Sequence, residues 1–243
     1  MSEIDPYNPL DLEALGQSLL KELERHPTRP LSSVPRFVGS GIYALYYCGT
    51  KEPYGILGRY NVQNSCRLPI YVGRAKDPGA RQGLNPFQPV TTPVLWNRVQ
   101  EHKKSIDHAT NLDVSDFAVR VLVVMAIWVP LAEAMAIRSY QPLWNSHLQG
   151  FGIHAPGGGR AGQKRSDWDE LHPGRSFASG LKRNEPRSRG DLLERMRRAV
   201  QDAVGRAKGS ASQGIPESSS QPPSPTELGR RSQSASSPRP KRP

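Results

Sequence analysis

The alternation of apolar and polar positions along the chain predicts three strands. β-Branched and aromatic residues, which favour pleated and half-buried surfaces, fill residues 41–48 and 69–73. Turn-rich segments bound both runs, as is typical of strands. A third run, 116–125, becomes apolar on both of its faces and therefore indicates a central strand that is covered on both sides.

Three further segments carry apolar residues at the three- and four-residue spacing of amphipathic helices. The first is 9–25, with Asp11 as its predicted N-cap, and we expect it to dock on the domain rather than to face DNA or a second copy. The second is 93–107, and the third is 130–140, which Pro142 ends. The buried side predicted for the third helix consists of Leu131, Ala134 and Ile137.

The segments that separate these elements are rich in Gly, Pro and charged residues. The longest of them are 49–68, 74–90 and 146–178, and all three are predicted to be loops. Long loops inside a compact domain are often functional, which makes their cations candidates for binding.

The composition changes near residue 180 and divides the chain. Hydrophobic residues make up 36% of the 243 residues, so part of the chain is not expected to pack. Ser, Pro, Gln and Gly dominate the end of the chain and bury too little apolar area to fold. The predicted parts are an N-terminal helical arm, 1–34; a folded domain, 35–180; a basic extension with a short helix over 191–200, 181–207; and a disordered, basic, Ser/Pro-rich tail, 208–243.

The net charge of +11 and the pI near 9.9 indicate a polyanionic partner, most simply nucleic acid. The charge is uneven, because residues 181–243 hold 14 Lys and Arg against 6 Asp and Glu. The basic character of the whole chain therefore describes mainly its C-terminal part.

The sequence does not have the features of a disulfide-stabilised, zinc-binding, secreted or membrane protein. Cys48 and Cys66 are too few for a disulfide scaffold, and no Cys-x-x-Cys spacing indicates zinc. No signal-peptide pattern is evident, and the longest apolar run, 121–131, is too short for a bilayer. We therefore expect a cytoplasmic protein.

Chemically active side chains recur on the predicted strands and on the second helix. Tyr43 and Tyr71 stand at equivalent places in the first two strands, each close to a glycine. Arg98 and His102 are four residues apart, so they share one helix face, about 6 Å apart along the axis. Each feature also has a structural explanation, because strand aromatics usually pack in a core and a basic helix face is usually solvated.

A lone carboxylate and an amide follow on the third helix. Glu133 is the only carboxylate in the otherwise apolar segment 130–137, which favours a bound metal or cation. An acidic residue near a helix start can instead complement the helix dipole. Asn145, just after the helix, is either a functional amide or a turn residue.

In this order, the features resemble the GIY-YIG nuclease superfamily. Its two tripeptides stand here as Gly41-Ile42-Tyr43 and Tyr71-Val72-Gly73, with Val in place of the second Ile. The resemblance covers about residues 35–180 and implies an α+β fold, in which a small three-stranded antiparallel sheet is flanked by helices, with long DNA-contacting loops. The type II restriction endonuclease branch is the most similar, on the segments RVQEHKKSI (98–106), PLAEAMAI (130–137), PLWN (142–145) and GFGIHAPGGGR…WDELHPGR (150–175).

The resemblance implies metal-dependent hydrolysis of double-stranded DNA at a short palindromic site, which in this branch includes GC-rich sites. Glu133 would bind one divalent ion, Mg²⁺ or Mn²⁺, Arg98 would hold the scissile phosphate, and Tyr43 or His102 would be the general base. A homodimer on DNA and a DNA methyltransferase as genetic partner are also implied. The implied catalytic residues are Tyr43, Tyr71, Arg98, His102, Glu133 and Asn145.

Loop cations are the predicted DNA contacts, although ordinary solvated cations are the alternative. Two other functions stay open: a GIY-YIG repair or homing-type nuclease, and a non-catalytic basic DNA-binding protein on a degenerate nuclease fold. A complete set of active residues favours an enzyme over the latter. The predicted DNA-binding residues are Arg74, Lys76, Arg81, Arg160, Lys164, Arg165 and Arg175.

Overall fold

The computed structural model describes residues 11–76, 89–153, 162–183 and 188–212. Its fold is α+β, as predicted. None of the helices in these ranges is long and apolar enough to cross a membrane. In chain order the elements are α1 (Leu12–Arg25), β1 (Arg29–Pro30), β2 (Gly41–Tyr47), α2 (Gly55–Gln63), β3 (Tyr71–Ala75), α3 (Val94–His108), β4 (Phe117–Val123), α4 (Val129–Tyr140), α5 (Leu143–Ser146), α6 (Asp167–Leu171), α7 (Ser176–Ser179) and α8 (Arg189–Ser212).

The strands form one antiparallel sheet of four, in the order β1-β4-β2-β3. The three predicted strands correspond to β2, β3 and β4. The fourth, β1, consists only of Arg29 and Pro30 beside β4. A two-residue strand has no alternation from which it could be predicted, and its proline is tolerated because β1 lies at the sheet edge.

Helices cover both faces of the sheet, so β2 is buried along its whole length. Residues 43, 45 and 47 pack with residues of α3, α5, α6 and α8, on what we call the α3 face. Residues 42, 44 and 46 alternate with them and pack against α1 and α4, on what we call the α4 face. β3 lies at one edge of the sheet, beside β2.

The first helix docks on the α4 face, as predicted. Asp11 is its N-cap, and the side chain accepts hydrogen bonds from the backbone N–H groups of Glu13 at 3.0 Å and Ala14 at 3.2 Å. Leu20 and Leu23 are buried against residues of α4 and β2.

The last helix is much longer than the predicted basic helix at 191–200. It covers 24 residues, and its apolar side, which includes Met196 and Val200, is buried in the core of the α3 face. The core of the α3 face therefore includes described residues on both sides of residue 180, where the composition changes. Of the predicted disordered tail, residues 213–243 lie outside the described residues.

Two segments that were predicted to be loops contain helices. Within 49–68, α2 includes Gly58, whose Cβ, if present, would overlap the carbonyl oxygen of Gly49. The glycines that suggested a loop instead let a helix approach another backbone closely. Within 146–178, Trp168 and Leu171 of α6 are fully buried, but α6 has only five residues and shows no helical period.

The buried side of α4, the third predicted helix, matches the expected one only in part. Leu131 and Ile137 are partly buried and pack against the core of the α4 face, as expected. Ala134 is exposed, whereas Val129, Ala132, Met135 and Ala136 are buried. Nearly every residue of this segment is apolar, so the spacing alone could not distinguish the two sides. Glu133 lies in the second turn, beyond the first-turn positions that complement the helix dipole.

A chain of buried hydrogen bonds joins α6 to the core of the α3 face. The indole N–H of Trp144 donates to the Tyr54 hydroxyl at 2.9 Å, which lies 2.8 Å from Nε2 of His172. Nδ1 of His172 lies 3.1 Å from Oδ1 of Asn111, whose amide nitrogen donates to the Leu171 carbonyl. Oδ1 of Asn111 therefore accepts a hydrogen bond from Nδ1–H, and His172 is the neutral Nδ1–H tautomer.

We expect the protein to lose stability in acid because of His172. Burial lowers its pKa from 6.5 to about 3, with a smaller effect from the Arg189 charge. The unfolded chain binds this proton below about pH 6.5 and the folded chain does not, so stability present above pH 6.5 falls as the pH falls. From pH 6.5 to 5, the free energy of unfolding should decrease by about 2 kcal/mol, measured by urea titration.

The variant His172→Gln should flatten this pH dependence, even though it also lowers stability. His108→Gln, which replaces an exposed histidine, should leave the dependence unchanged. An equal slope in wild type and His172→Gln would show that another group is responsible.

Candidate active site

Two tyrosines from neighbouring strands meet on the α3 face beside Gly73. Tyr43 pairs with Gly73 across β2 and β3, and the ring centroids of Tyr43 and Tyr71 are 6.2 Å apart. A Cβ atom on Gly73 would overlap the Tyr43 hydroxyl and would lie 2.9 Å from Cε1 of Tyr71. The glycine of the second tripeptide therefore makes room for the Tyr43 hydroxyl over β3.

Helix α3 brings Arg98 and His102 to these tyrosines. The His102 ring centroid lies 5.6 Å from that of Tyr43 and 5.1 Å from that of Tyr71. Arg98 is close enough for its charge to act on both tyrosine hydroxyls. A solvated basic face does not describe this pair, since His102 is only 2% exposed. We call these four residues the tyrosine–arginine–histidine cluster.

Residues 150–153, which we call the site loop, cover this cluster. The Phe151 ring stacks on His102 with centroids 4.4 Å apart, and it meets Tyr71 edge-on at 4.9 Å. The Gly152 carbonyl accepts a hydrogen bond from Arg98 at 3.0 Å. Sequence reasoning missed both residues, because neither residue type carries reactive chemistry. The only signal was the Gly-rich motif in which they stand.

Glu133 approaches the cluster from the α4 face, around the edge strand β3. Its carboxylate Oε2 lies 2.9 Å from Nε of Arg74, and the Glu133 side chain is 21% exposed. Arg74 was predicted to contact DNA, but in this structure it is the ion-pair partner of Glu133. The Glu133 charge also acts on the Tyr71 hydroxyl, so the acid and the cluster belong to one site.

This site combines strand tyrosines, a helix arginine and histidine, and one carboxylate at the edge of an antiparallel sheet. A family model described as the Eco29kI GIY-YIG domain matches residues 35–202. The chain belongs to the Eco29kI GIY-YIG family. This is a family of type II restriction endonucleases, so the chain is a restriction-type nuclease whose substrate is DNA. No curated relative matches the chain.

The match extends beyond the domain end that composition predicted at residue 180. It runs into α8, whose apolar side is part of the core. The Eco29kI-type domain in this chain therefore includes most of that helix.

GIY-YIG nucleases generally depend on a divalent metal, and the donors in this site fit one ion. In the described residues, no three His, Cys, Asp or Glu side chains converge. Glu133 is thus the candidate ligand among them. Mg²⁺ is commonly held by one or two carboxylates together with waters and substrate phosphate, so a single carboxylate suits it.

Burial controls the proton affinities in the Eco29kI-type site. It raises the pKa of Tyr43 well above 10 and that of Tyr71 above 10, and the opposing Arg98 charge is too weak to reverse either shift. Burial also raises the pKa of Glu133, against the charges of Arg74, Lys76 and Arg98. Both tyrosines are therefore neutral hydroxyls in the free protein at neutral pH.

Gly73→Ala is expected to slow DNA cleavage by about 10-fold or more and to lower the free energy of unfolding by about 1 to 3 kcal/mol, because the added methyl displaces the buried Tyr43 hydroxyl. Steady-state cleavage rates and thermal unfolding together measure this. Gly205→Ala, where a Cβ meets no atom within 4 Å, is the control and should keep full activity. Unchanged cleavage by Gly73→Ala would mean that the Tyr43 position is not critical.

Asn145 holds the edge strand rather than facing open space in the site. Its Oδ1 accepts the backbone N–H of Val72 at 2.8 Å, and its Nδ2 donates to the Val72 carbonyl at 2.9 Å. These are the outward backbone groups of β3, which would otherwise be unpaired at a sheet edge. The geometry supports a positioning role, since β3 carries Tyr71 and Gly73.

The predicted DNA-binding cations separate into three groups. Arg81 and Arg160 lie outside the described residues, whereas Lys76 and Lys164 are exposed. The prediction is wrong for Arg175, which is 3% exposed and paired with Asp169. Arg165 is also committed internally: its guanidinium donates to the carbonyls of residues 178, 179 and 181 and pairs with Glu170.

Proposed function

We propose that the chain is a type II restriction endonuclease that hydrolyses double-stranded DNA at a short palindromic site, with one Mg²⁺ in each active site. The observation that carries this proposal is the convergence of Tyr43, Tyr71, Arg98, His102 and Glu133 at one end of the sheet, within an Eco29kI-type domain. These are the groups that phosphodiester hydrolysis needs: a proton acceptor, a cation for the phosphate and a carboxylate for a metal.

Arg98 binds the scissile phosphate and stabilises the charge that develops on it. A planar guanidinium suits phosphate geometry, and Arg98 keeps its charge at every relevant pH. Its bonds to Glu101 at 2.9 Å and to the Gly152 carbonyl at 3.0 Å hold the guanidinium beside the tyrosines.

Tyr71 orients the attacking water, and Tyr43 or His102 accepts its proton. Tyr71 is partly exposed, whereas the Tyr43 hydroxyl and the His102 ring nitrogens are buried behind it. A neutral tyrosine hydroxyl hardly accepts a proton, so Tyr43 would act as the base only as tyrosinate. Added positive charge near the hydroxyl would favour that form by lowering the pKa of Tyr43, and the tyrosinate would then take the proton of the attacking water.

Glu133 would hold the divalent ion, which would supply positive charge beside the attacking water and the phosphate. In the DNA-free protein, Arg74 forms an ion pair with the Glu133 carboxylate, so it competes with the metal ion for that carboxylate.

Arg74→Met should therefore increase the affinity of the DNA-free protein for Mn²⁺ by about 10-fold, since a neighbouring positive charge is removed. Titration calorimetry measures this directly. Arg138→Met removes another arginine–glutamate pair on α4, the one with Glu13, and should leave the affinity unchanged. Weaker or equal binding by Arg74→Met would contradict the competition.

A palindromic site is read most simply by a two-fold homodimer, and Arg contacts to guanine suit GC-rich sites. Lys76, Arg81, Arg160 and Lys164 are the remaining proposed DNA contacts. Host DNA must be protected from such an enzyme, which gives a DNA methyltransferase as the genetic partner.

The test is a digest of unmethylated phage DNA by the purified protein, with Mg²⁺ or with excess chelator. Discrete fragments that require Mg²⁺ support the proposal, and sequencing their ends gives the site. Smeared or singly nicked DNA would instead indicate a repair or homing-type nuclease. Bound but uncut DNA would indicate a non-catalytic DNA-binding protein.

A further inference from the structure

Arg175 is a buried arginine that holds the site loop from behind. Its NH1 group donates to the carbonyls of Phe151 at 3.1 Å and Ile153 at 3.0 Å. Its NH2 group donates to the Gly150 carbonyl at 2.9 Å and to Oδ2 of Asp169 at 2.8 Å, and its Nε donates to Oδ1 of Asp169 at 2.6 Å. All five N–H donors of a guanidinium are thus used.

Two aromatic rings also lie against the guanidinium. Its central carbon lies 4.5 Å from the ring centroid of Trp168 and 4.9 Å from that of Phe177. Asp169, which balances the charge, is 3% exposed like Arg175 itself. A planar cation is needed here, because an ammonium could neither reach all of these acceptors nor present a flat face to an aromatic ring.

The loop that Arg175 holds carries the contacts to the tyrosine–arginine–histidine cluster. Three of its four carbonyls point to Arg175, and the fourth, that of Gly152, accepts from Arg98. Phe151, whose carbonyl is held, stacks its ring on His102. Displacement of the loop would therefore move both an acceptor of Arg98 and the surface against which His102 rests.

We propose that Arg175 is a positioning residue for DNA cleavage, acting through the site loop on Arg98 and His102. This inference rests on the proposed nuclease function. It also gives a role to Arg175, which ends the segment 150–175 of the nuclease domain and is buried rather than exposed to DNA.

Arg120 provides a matched control. It is 8% exposed and donates to the carbonyls of His26 at 2.8 Å, Ser65 at 3.3 Å and Cys66 at 3.4 Å. It lies on the α4 face with Tyr46, so it is also a buried arginine that binds three carbonyls, but it is remote from the site loop.

The experiment compares Arg175→Lys with Arg120→Lys. Both variants should lower the thermal midpoint. Only Arg175→Lys should lower kcat for DNA cleavage, by about 10- to 100-fold, with KM within about threefold of wild type. Equal losses of kcat in the two variants would overturn the proposal, because they would reflect stability alone.

Coupling to Arg98 gives a second readout that general destabilisation would not produce. In the Arg98→Ala background, Arg175→Lys should reduce kcat by less than about threefold further, because both changes remove the same contribution. Full additivity of the two losses would overturn the proposed route through Arg98. Phe151→Leu keeps an apolar residue of similar size and should lower kcat in the same way as Arg175→Lys, so the proposal stays testable if Arg175→Lys folds poorly.

Hydrogen–deuterium exchange over 149–153 tests the loop without any need for cleavage. The backbone N–H of Ile153, which donates to Gly150 at 3.1 Å, should exchange faster in Arg175→Lys but not in Arg120→Lys. Faster exchange with unchanged kcat would remove the catalytic part of the proposal. If the wild-type protein does not cut DNA, the proposed function fails, whereas the exchange result still shows whether Arg175 holds the loop.

Discussion

Glu133→Gln is expected to lower the rate of DNA cleavage by about 10² to 10³-fold while DNA binding is kept. Glutamine has nearly the size of glutamate, but its neutral amide is a poor ligand for Mg²⁺. The substitution also leaves Arg74 without its carboxylate partner, which adds positive charge near the DNA and should maintain or increase affinity. Single-turnover cleavage with Mg²⁺ and gel retardation in chelator measure the two properties separately.

The control for this prediction is Glu22→Gln, which replaces an exposed glutamate on α1. It should cut at the wild-type rate. A Glu133→Gln protein that cuts within about threefold of wild type would remove Glu133 from the proposed chemistry. A protein that loses DNA binding as well would show that the residue matters for affinity and not for the chemical step.

Asp169→Ala is expected to lower the free energy of unfolding by about 3 to 5 kcal/mol. The change leaves the Arg175 charge buried without its carboxylate, and it removes two hydrogen bonds of 2.6 and 2.8 Å. It also frees the Ser166 hydroxyl, which donates to Asp169 at 2.6 Å at the start of α6. Urea unfolding monitored by tryptophan fluorescence reports this directly, since Trp168 stacks on the arginine.

Two comparisons separate burial from charge in this prediction. Glu194→Ala breaks an exposed pair with Arg198, of 3.0 Å, and should cost less than about 1 kcal/mol. The double variant Asp169→Leu/Arg175→Met should be less destabilised than Asp169→Ala, because no unpaired charge stays buried. If the double variant were less stable than Asp169→Ala, the hydrogen bonds from Arg175 to the backbone carbonyls would contribute more to stability than the unpaired buried charge of Arg175 takes away.

The central part of the fold could be predicted because its signals are local and periodic. Strand composition predicted β2 and β3 to within about two residues, and apolar spacing predicted α1 and α3 to within about three. The same periodicity placed Arg98 and His102 on one face of α3. The elements that were missed are short or contain glycines used for close packing, so no periodic signal marks them; they are β1, α2, α5, α6 and α7.

The roles of the cations could not be predicted in the same way. Arg175 and Lys164 both stand in a Gly-rich basic segment, yet Arg175 is buried and Lys164 is exposed. The difference arises because Asp169 and the carbonyls of the site loop surround Arg175 in the folded chain. Composition records the charge of a residue and contains no information about such partners.

The sequence by itself determined which chemical groups the nuclease has and which elements carry them, because residue type and periodicity are local properties. Only the tertiary structure decided how those groups are partnered. In the folded chain, Glu133 forms an ion pair with Arg74, and the Asn145 amide forms hydrogen bonds with the backbone of Val72 in the edge strand. Arg175 is buried and forms hydrogen bonds with the carbonyls of the site loop. The physical reason is that a charge or an amide takes its nearest available partner in space, and folding brings that partner from a distant part of the chain.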